Sequence, residues 1–569
     1  MDITLKNNMV YKRRIIRCIL LICVPLIVLL LTWKYNTICF ETNDDYFLMS
    51  IVAGFKTGKP SPNMMFCNII WGWIISSLYR ITQVIPWYTI SFLLIIYTSL
   101  IIIYDVCLHA FENQIIKGTI TFVFLYLCIL CWYTTILQFT TIPAYAGIAA
   151  LLLMIKEEIE PSEKIVDFRY IAFIILSLCA VLLRSDVSYL FTLALILYGL
   201  CLKFGYSIKT DKYIFTGVTI QVITWLVNLI YNQVTEWGDY WAYNAVRAQW
   251  ADHPGLTFVD NPQIYSSVGW TEKFYNLATS WFYLDEHFTK EALTTITEAY
   301  STNTNLLNGY SITDLFMSVL CAGVTGFKIA IGLLMLFIIT KTIYAKAIKD
   351  FLTIVFFSII TTMLLFYLAI SGRLIFRVQF TIMIIFLLPA IFIVLIRKYD
   401  GTTNILYRVF VNGLATVVAA FVIIISLTTE SGLYRNMAEY SKWHTGQQTT
   451  VYYANELAME FPNSYFIYDF NLALAGSPFL TYPGKKPCNM QYWGGWETYS
   501  PIDKQQLIVN GFQNMYPEDF FNERVFFISL INSTQIQDLL VPYMEERYPG
   551  CYLEQILQNE RFIVYQFRR

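Results

Sequence analysis

The chain is patterned by long, nearly uninterrupted apolar runs separated by short polar stretches, rather than by the close alternation of a water-soluble protein. About 20 apolar residues at 1.5 Å per residue cross a ~30 Å hydrocarbon core, and somewhat shorter runs suffice inside a bundle. Eleven segments meet that description, at 15–33, 86–106, 118–136, 139–155, 168–183, 187–203, 213–231, 327–345, 351–370, 374–396 and 408–428. A twelfth stretch, 64–82, is apolar but carries Trp71, Trp73, Tyr79 and Arg80, the residues of a helix lying along a membrane surface.

Charge then orients the spans. Lys12, Arg13, Arg14 and Arg17 precede the first, and no small-residue cleavage site follows before Glu41, so it reads as a retained anchor with a cytoplasmic N-terminus. Counting alternately, the inner segments carry Lys117, then Lys156, Lys164 and Arg169, then Lys203, Lys209 and Lys212. The next two carry Lys341, Lys346 and Lys349, then Arg397, Lys398 and Arg408. Every inner loop is basic, which holds only if 64–82 does not cross.

With eleven spans, the three long segments that face outward are a loop at 34–85, a larger loop at 232–326, and the tail 429–569. The larger loop holds nine acidic residues from Glu236 to Glu298 against Arg247, Lys273 and Lys290, and is rich in Trp and Tyr, so a folded cap is expected. The tail mixes strand-like runs (Tyr465–Tyr468, Val525–Leu530, Phe562–Phe567) with a helix-like one (Ile536–Arg547), the pattern of a small α/β domain. The chain thus divides into a membrane domain at 1–428 and a soluble domain at 429–569.

Composition narrows the function classes. Of 569 residues, 57% are hydrophobic and 14% charged, with a mean hydropathy of +0.52, where soluble domains carry roughly 25% charge. The 39 basic and 40 acidic residues leave no net positive charge for nucleic acid. Twelve cysteines and four histidines are scattered without metal-ligand spacing; Cys128 and Cys131, three apart in an apolar run, read as small hydrophobes. No metal or cofactor is expected, although Asp44 and Asp45 could take a divalent ion.

The candidate chemistry lies where charge meets the outer membrane boundary. Asp44 and Asp45 follow the first span; Arg184 and Asp186 sit between the fifth and sixth; Lys328 begins the eighth; Arg373 and Arg377 begin the tenth. Each has two readings. Asn43 or Asp44 caps a surface helix over Asp45–Phe55, or one acid is a general base. Arg373 and Arg377, four apart on one helical face, clamp a phosphate or reach toward lipid head groups. Lys328 binds phosphate or marks a helix start, and Arg184 binds phosphate or pairs with Asp186. The Gly494-Gly495 of YWGGWETY has no phosphate-loop pattern and reads as a tail-domain loop, with sugar stacking on Trp493 or Trp496 as the lesser alternative.

The arrangement resembles the GT-C class of membrane glycosyltransferases, which includes protein O-mannosyltransferases and the aminoarabinose transferases of lipid A. The resemblance rests on the basic start, one span, an outer loop opening with Asn43-Asp44-Asp45, and Gly58-Lys-Pro60-Ser-Pro62 leading into the juxtamembrane helix. Further spans and a soluble tail complete it. No WWDYG-like element of the oligosaccharyltransferases is present. The resemblance implies a GT-C-like polytopic helical fold of about eleven transmembrane helices and an acid in the first outer loop, Asp44 or Asp45, that serves as base or holds the acceptor. It implies transfer of a sugar from a polyprenyl-phosphate donor to a glycan, lipid or protein acceptor, with inversion. Membrane lipid is the other partner, and the bacterial plasma membrane the expected location, with the C-terminal domain extracytoplasmic. A transporter or flippase of lipid-linked glycans is the alternative, although no internal repeat supports it; a membrane scaffold would leave the boundary arginines without a role.

The topology is checked by labelling single cysteines introduced at Asn63 and Gln448 in intact cells: both are expected to react with an impermeant reagent. Opposite sidedness of positions 60–63 and 83–85 would make 64–82 a span and raise the count to twelve.

Overall fold

The computed structural model describes residues 2–111, 114–159, 161–164, 166–206, 211–253, 255–303, 312–321, 324–397, 433–469 and 476–569. Ten of the eleven apolar segments are helical. They form α1 (Asp2–Tyr35), α4 (Trp87–Ala110), α5 (Ile115–Leu125), α6 (Ile142–Ile159), α7 (Phe168–Leu182), α8 (Ser185–Tyr206), α9 (Asp211–Val234), α15 (Thr325–Tyr344), α16 (Ile348–Ile370) and the pair α17 (Phe376–Phe386) and α18 (Leu388–Ile396). The eleventh, 408–428, and the domain boundary beside it lie outside the described residues. Among the described residues six helical segments, the α17–α18 pair counted as one, are long and apolar enough to cross a membrane, and exposed Ile and Leu rows along α1, α9 and α16 suit lipid contact. The chain is an integral membrane protein.

Helix α6 is the axis of the bundle. Its residues from Ile142 to Glu157 are all buried, and it packs against α4, α7, α8, α17 and α18. The run 118–136 is not one continuous helix: α5 gives way to a wide turn over Tyr126–Leu130 and a tight turn over Trp132–Thr134. At the end of the bundle away from the 34–85 loop, Asp105 of α4 joins Arg17 of α1 (2.6 Å) and Lys156 of α6. Charge placed inside a bundle persists only when paired in this way.

The 34–85 loop holds α2 (Asn43–Ala53) and α3 (Ile69–Ile81). The thirteen-residue α3 spans about 20 Å, less than the hydrocarbon core. Asn68 caps it, accepting from the Ile70 N–H, while its Nδ2 donates to Thr224 of α9. Helix α2 ends at Gly54, whose φ of +80° and approach to Lys59 leave no room for a side chain. The described residues of 232–326 form a folded cap of α10 (Trp237–Asp252), α11 (Pro262–Ser267), α12 (Glu272–Thr279), α13 (Lys290–Asn303) and α14 (Ile312–Cys321).

The tail opens with α19 (Leu433–Glu460) and builds a five-stranded sheet from β3 (Tyr465–Tyr468), β4 (Met490–Tyr492), β5 (Val525–Leu530), β6 (Tyr552–Gln558) and β7 (Phe562–Arg568), ordered β4-β3-β5-β7-β6. Strand β3 pairs in parallel with β4 and β5, and β7 antiparallel with β5 and β6. The three expected strands are present. Strands β4 and β6 were not anticipated: one is three residues long, and the other is a largely exposed edge with no alternating apolar face. The remaining strands, β1 (Cys39–Phe40) and β2 (Ile136–Leu137), form a short parallel pair between the first loop and the turn after α5.

The tail is pinned to the membrane domain by a buried ion pair, Lys56 Nζ to Glu497 Oε1 at 2.6 Å. Beside it Asp503 is buried in α20 (Pro501–Val509), accepting from Gln491 Nε2 (2.8 Å) and the Tyr499 N–H (2.9 Å). Burial foremost, and then the charge of Glu497, push its carboxyl up to about 7 against those bonds and Lys56. In the unfolded chain an aspartate titrates near about 4. Between these values the folded protein holds a proton that the unfolded chain has lost, so this contribution to stability is present at low pH and declines as pH rises from about 4 to about 7. Thermal unfolding of the purified protein at stepped pH is expected to show that decline, and Asp503→Asn to flatten it; an unchanged slope in the variant would remove Asp503 from the account.

Candidate active site

Two acids adjacent on a helix point about 100° apart, so Asp44 and Asp45 in the first turn of α2 cannot share an environment. Asp44 faces a cavity, and its Oδ1 accepts from the indole Nε1 of Trp496 at 2.8 Å. Asp45 faces inward, fully buried, with Oδ1 accepting from the Tyr88 hydroxyl and the Phe139 N–H, both at 3.0 Å. Burial foremost holds its carboxyl well above the usual carboxylate range, against the Tyr88 bond and with the help of the Asp44 charge. Neither Asn43 nor Asp44 caps the helix: the cap position is Thr42, which makes no capping bond, and the helix begins at Asn43 and is buried rather than superficial.

The short β1–β2 pair sets this turn in place. Cys39 N–H donates to Thr135 O, and Glu41 N–H to Leu137 O, carrying the first loop alongside Gln138–Thr140. The Phe139 N–H bond to Asp45 is a third tie between the same two segments.

Arg373 and Arg377 do not lie on one helical face. Gly372, at φ +70°, turns the chain after α16, and α17 starts only at Phe376, so Arg373 belongs to the turn and Arg377 to the first helical turn. Both nonetheless line the cavity that Asp44 faces, as does Arg184. Each arginine meets an acid: Arg373 with Asp252 (3.4 Å), Arg377 with Glu41 (3.9 Å), and Arg184 with Asp186 (3.0 Å), the pairing expected from sequence. Arg184 also lies over the rings of Phe66 and Phe139, at 4.8 and 4.7 Å. Lys328 is not brought to this place: its Nζ donates to Val319 O at 2.6 Å, and it does not line the cavity.

The cavity measures about 690 Å³, within the range of small-molecule sites. Its walls come from all three parts of the chain: Glu41 to Asp44, Phe47 and Gln138 to Thr140 from the membrane domain, Arg247, Asp252 and Trp281 from the cap, and Tyr492 and Gly494 to Glu497 from the tail. Phe66 and Trp281, both cavity residues, have φ of +67° and +68°, a backbone conformation costly for a bulky side chain. Such strain persists where surrounding packing enforces it, and it gathers at functional sites.

Several of these residues were not singled out from sequence. Glu41 accepts from the Tyr133 hydroxyl at 2.9 Å, and burial foremost raises its carboxyl against Arg377 and Tyr133. Arg247 is buried at 2% exposure; its Nε donates to Asn244, while its Nη1 has no hydrogen-bond partner. Among the described residues no carboxylate lies within ion-pair distance of it, unlike the other three cavity arginines. Its standing as the single arginine of a predominantly acidic loop is the available signal. Trp493 is fully buried, so it presents no face for a sugar, and Trp496 spends its N–H on Asp44.

The described residues also contain one cluster with metal-ligand spacing, Asp285, Glu286 and His287. Arg547 of the tail lies across it, 2.9 Å from Asp285 and paired with Glu286, and the Tyr543 hydroxyl donates to Asp285. The cluster fastens the cap to the tail.

No family model matches the chain, and no curated protein matches it. Among solved structures it is similar to ArnT from Cupriavidus metallidurans bound to undecaprenyl phosphate, at 12% identity and a TM-score of 0.42, covering 96% of this chain and 97% of that one. The same ArnT in the apo state gives 9% identity and a TM-score of 0.41. An Archaeoglobus fulgidus oligosaccharyltransferase gives 11% identity and a TM-score of 0.39, covering 95% of this chain and 73% of that one. Likeness at this level leaves the function to be argued from the chemistry of the cavity.

Proposed function

We propose that the protein is a GT-C-like membrane glycosyltransferase that moves a sugar from a polyprenyl-phosphate donor to an acceptor hydroxyl at the outer face of the membrane. The observation that supports this reading is the convergence of Asp44 with Arg184, Arg247, Arg373 and Arg377 on one cavity beside the helical bundle. Transfer from a lipid phosphate needs a base for the incoming hydroxyl and cations for the leaving phosphate, held where a lipid-borne head group can enter. The acceptor oxygen attacks the anomeric carbon as its bond to the phosphate oxygen breaks, and the hydroxyl proton passes to Asp44. The polyprenyl phosphate leaves with its charge met by guanidinium groups, and in-line attack inverts the anomeric centre. Arg247, which has no carboxylate within ion-pair distance among the described residues, is the cavity arginine least committed to an acid. Asp45 supports the loop from the buried side.

The test is a membrane assay with radiolabelled polyprenyl-phosphate sugars, following label into acceptors. Asp44→Asn preserves size and removes basicity, so turnover is expected to fall by about 10²-fold or more at unchanged thermal stability. Asp45→Asn, which keeps an acceptor oxygen toward Tyr88 and Phe139, is expected to leave turnover near wild type. Wild-type transfer by Asp44→Asn would sink the catalytic assignment and favour a transporter.

The arginines give a second test. Lysine keeps the charge but not the planar two-pronged donor set, so Arg373→Lys and Arg377→Lys are each expected to lower turnover about tenfold at normal expression. Unchanged turnover in both variants would return the pair to a purely structural role opposite Asp252 and Glu41.

A further inference from the structure

We propose that Trp496 positions the Asp44 carboxylate through its indole N–H, so that the C-terminal domain completes the reacting centre of the membrane domain. The inference rests on the reading of Asp44 as base. The indole nitrogen is a donor only, and its bond to Asp44 Oδ1 at 2.8 Å spans 452 positions of sequence. The other carboxylate oxygen, Oδ2, has a long 3.4 Å contact from the Thr42 hydroxyl. One oxygen is therefore anchored while the second is the more open to an acceptor proton.

The donor is itself held with little freedom. Gly494 bridges Phe282 of the cap so closely that an added Cβ would lie 1.6 Å from Trp281 O, and Gly495 turns the chain at φ +84°. The Tyr283 N–H donates to Trp493 O at 3.0 Å, and the Tyr240 hydroxyl donates to Trp496 O. On the next residue, Glu497 is locked to Lys56. The indole ring meets Phe66 and Phe47 nearly edge-on, at 5.3 and 6.2 Å. With 7% of its surface exposed, Trp496 has no open face for sugar stacking, which leaves the N–H as its means of acting on the cavity. A group held this way from several sides can orient a reacting carboxylate without losing entropy at the moment of reaction.

A merely structural tryptophan would fill the same space without its N–H mattering, and the test separates the two. In full-length protein labelled with fluorotryptophan and purified in detergent, the fluorine NMR line missing from Trp496→Phe is assigned to Trp496. That line is expected to move in Asp44→Ala while the others stay; an unmoved line overturns the proposal. In the radiolabelled-sugar assay, Trp496→Phe is expected to lower kcat about tenfold with the donor KM unchanged. It is expected to cost nothing further in the Asp44→Asn background. If Trp496→Phe melts early, benzothienylalanine at 496, which keeps the two fused rings and lacks only the N–H, must show the same kcat loss. Full kcat in that variant overturns the positioning role while leaving the base intact. Wild-type transfer by Asp44→Asn is the separate result that would overturn the base.

Discussion

Charge withdrawn from water has to be met by opposite charge or by hydrogen bonds, and in a protein whose main solvent is lipid this requirement shapes every junction between its parts. Lys56 and Glu497 are both buried where the first loop meets the tail, and they pair with each other at 2.6 Å. Arg547 crosses Asp285 and Glu286 where the cap meets the tail. At the far end of the bundle Asp105 gathers Arg17 and Lys156 from two neighbouring helices. The partners come from different segments each time, so the need for pairing also fixes how those segments sit.

The cavity uses the same rule less completely. Three of its arginines face carboxylates at 3.0 to 3.9 Å, distances that leave the cations near their acids yet able to meet another anion. Arg247 departs further, since it is buried and, among the described residues, no carboxylate lies within ion-pair distance of it. Removing water strengthens the field of every such group, and an anion entering the cavity would meet that field already assembled. The charges at these three junctions are closed in pairs, whereas those of the candidate site are partly open.

Much of the fold is legible from sequence because its driving signals are local. Apolar length marks the spans, and short apolar runs mark Tyr465–Tyr468, Val525–Leu530 and Phe562–Phe567. Counting spans also places Asp44, Arg184, Arg373 and Arg377 at one membrane boundary, but it places Lys328 there too, which does not line the cavity. What was not legible depends on distant partners or on backbone detail. Spacing by four implied that Arg373 and Arg377 share a helix, but a glycine turn at 372 starts α17 later. Asp44 and Asp45 look equivalent until the phase of α2 decides which one meets the cavity. The approach of Tyr492–Glu497 to the first loop has no local mark at all, because strands β3 and β4 and the clasp of the cap bring it there.

The separation of Asp44 from Trp496 along the chain has a consequence for biosynthesis. At the usual ~5–20 residues per second of translation, the 452 positions between them take roughly 20 to 90 seconds to make. Throughout that interval the first loop is already synthesised while the segment that walls it in does not yet exist. The cavity can therefore close only once nearly the whole chain has been made, which ties its assembly to completion of the tail.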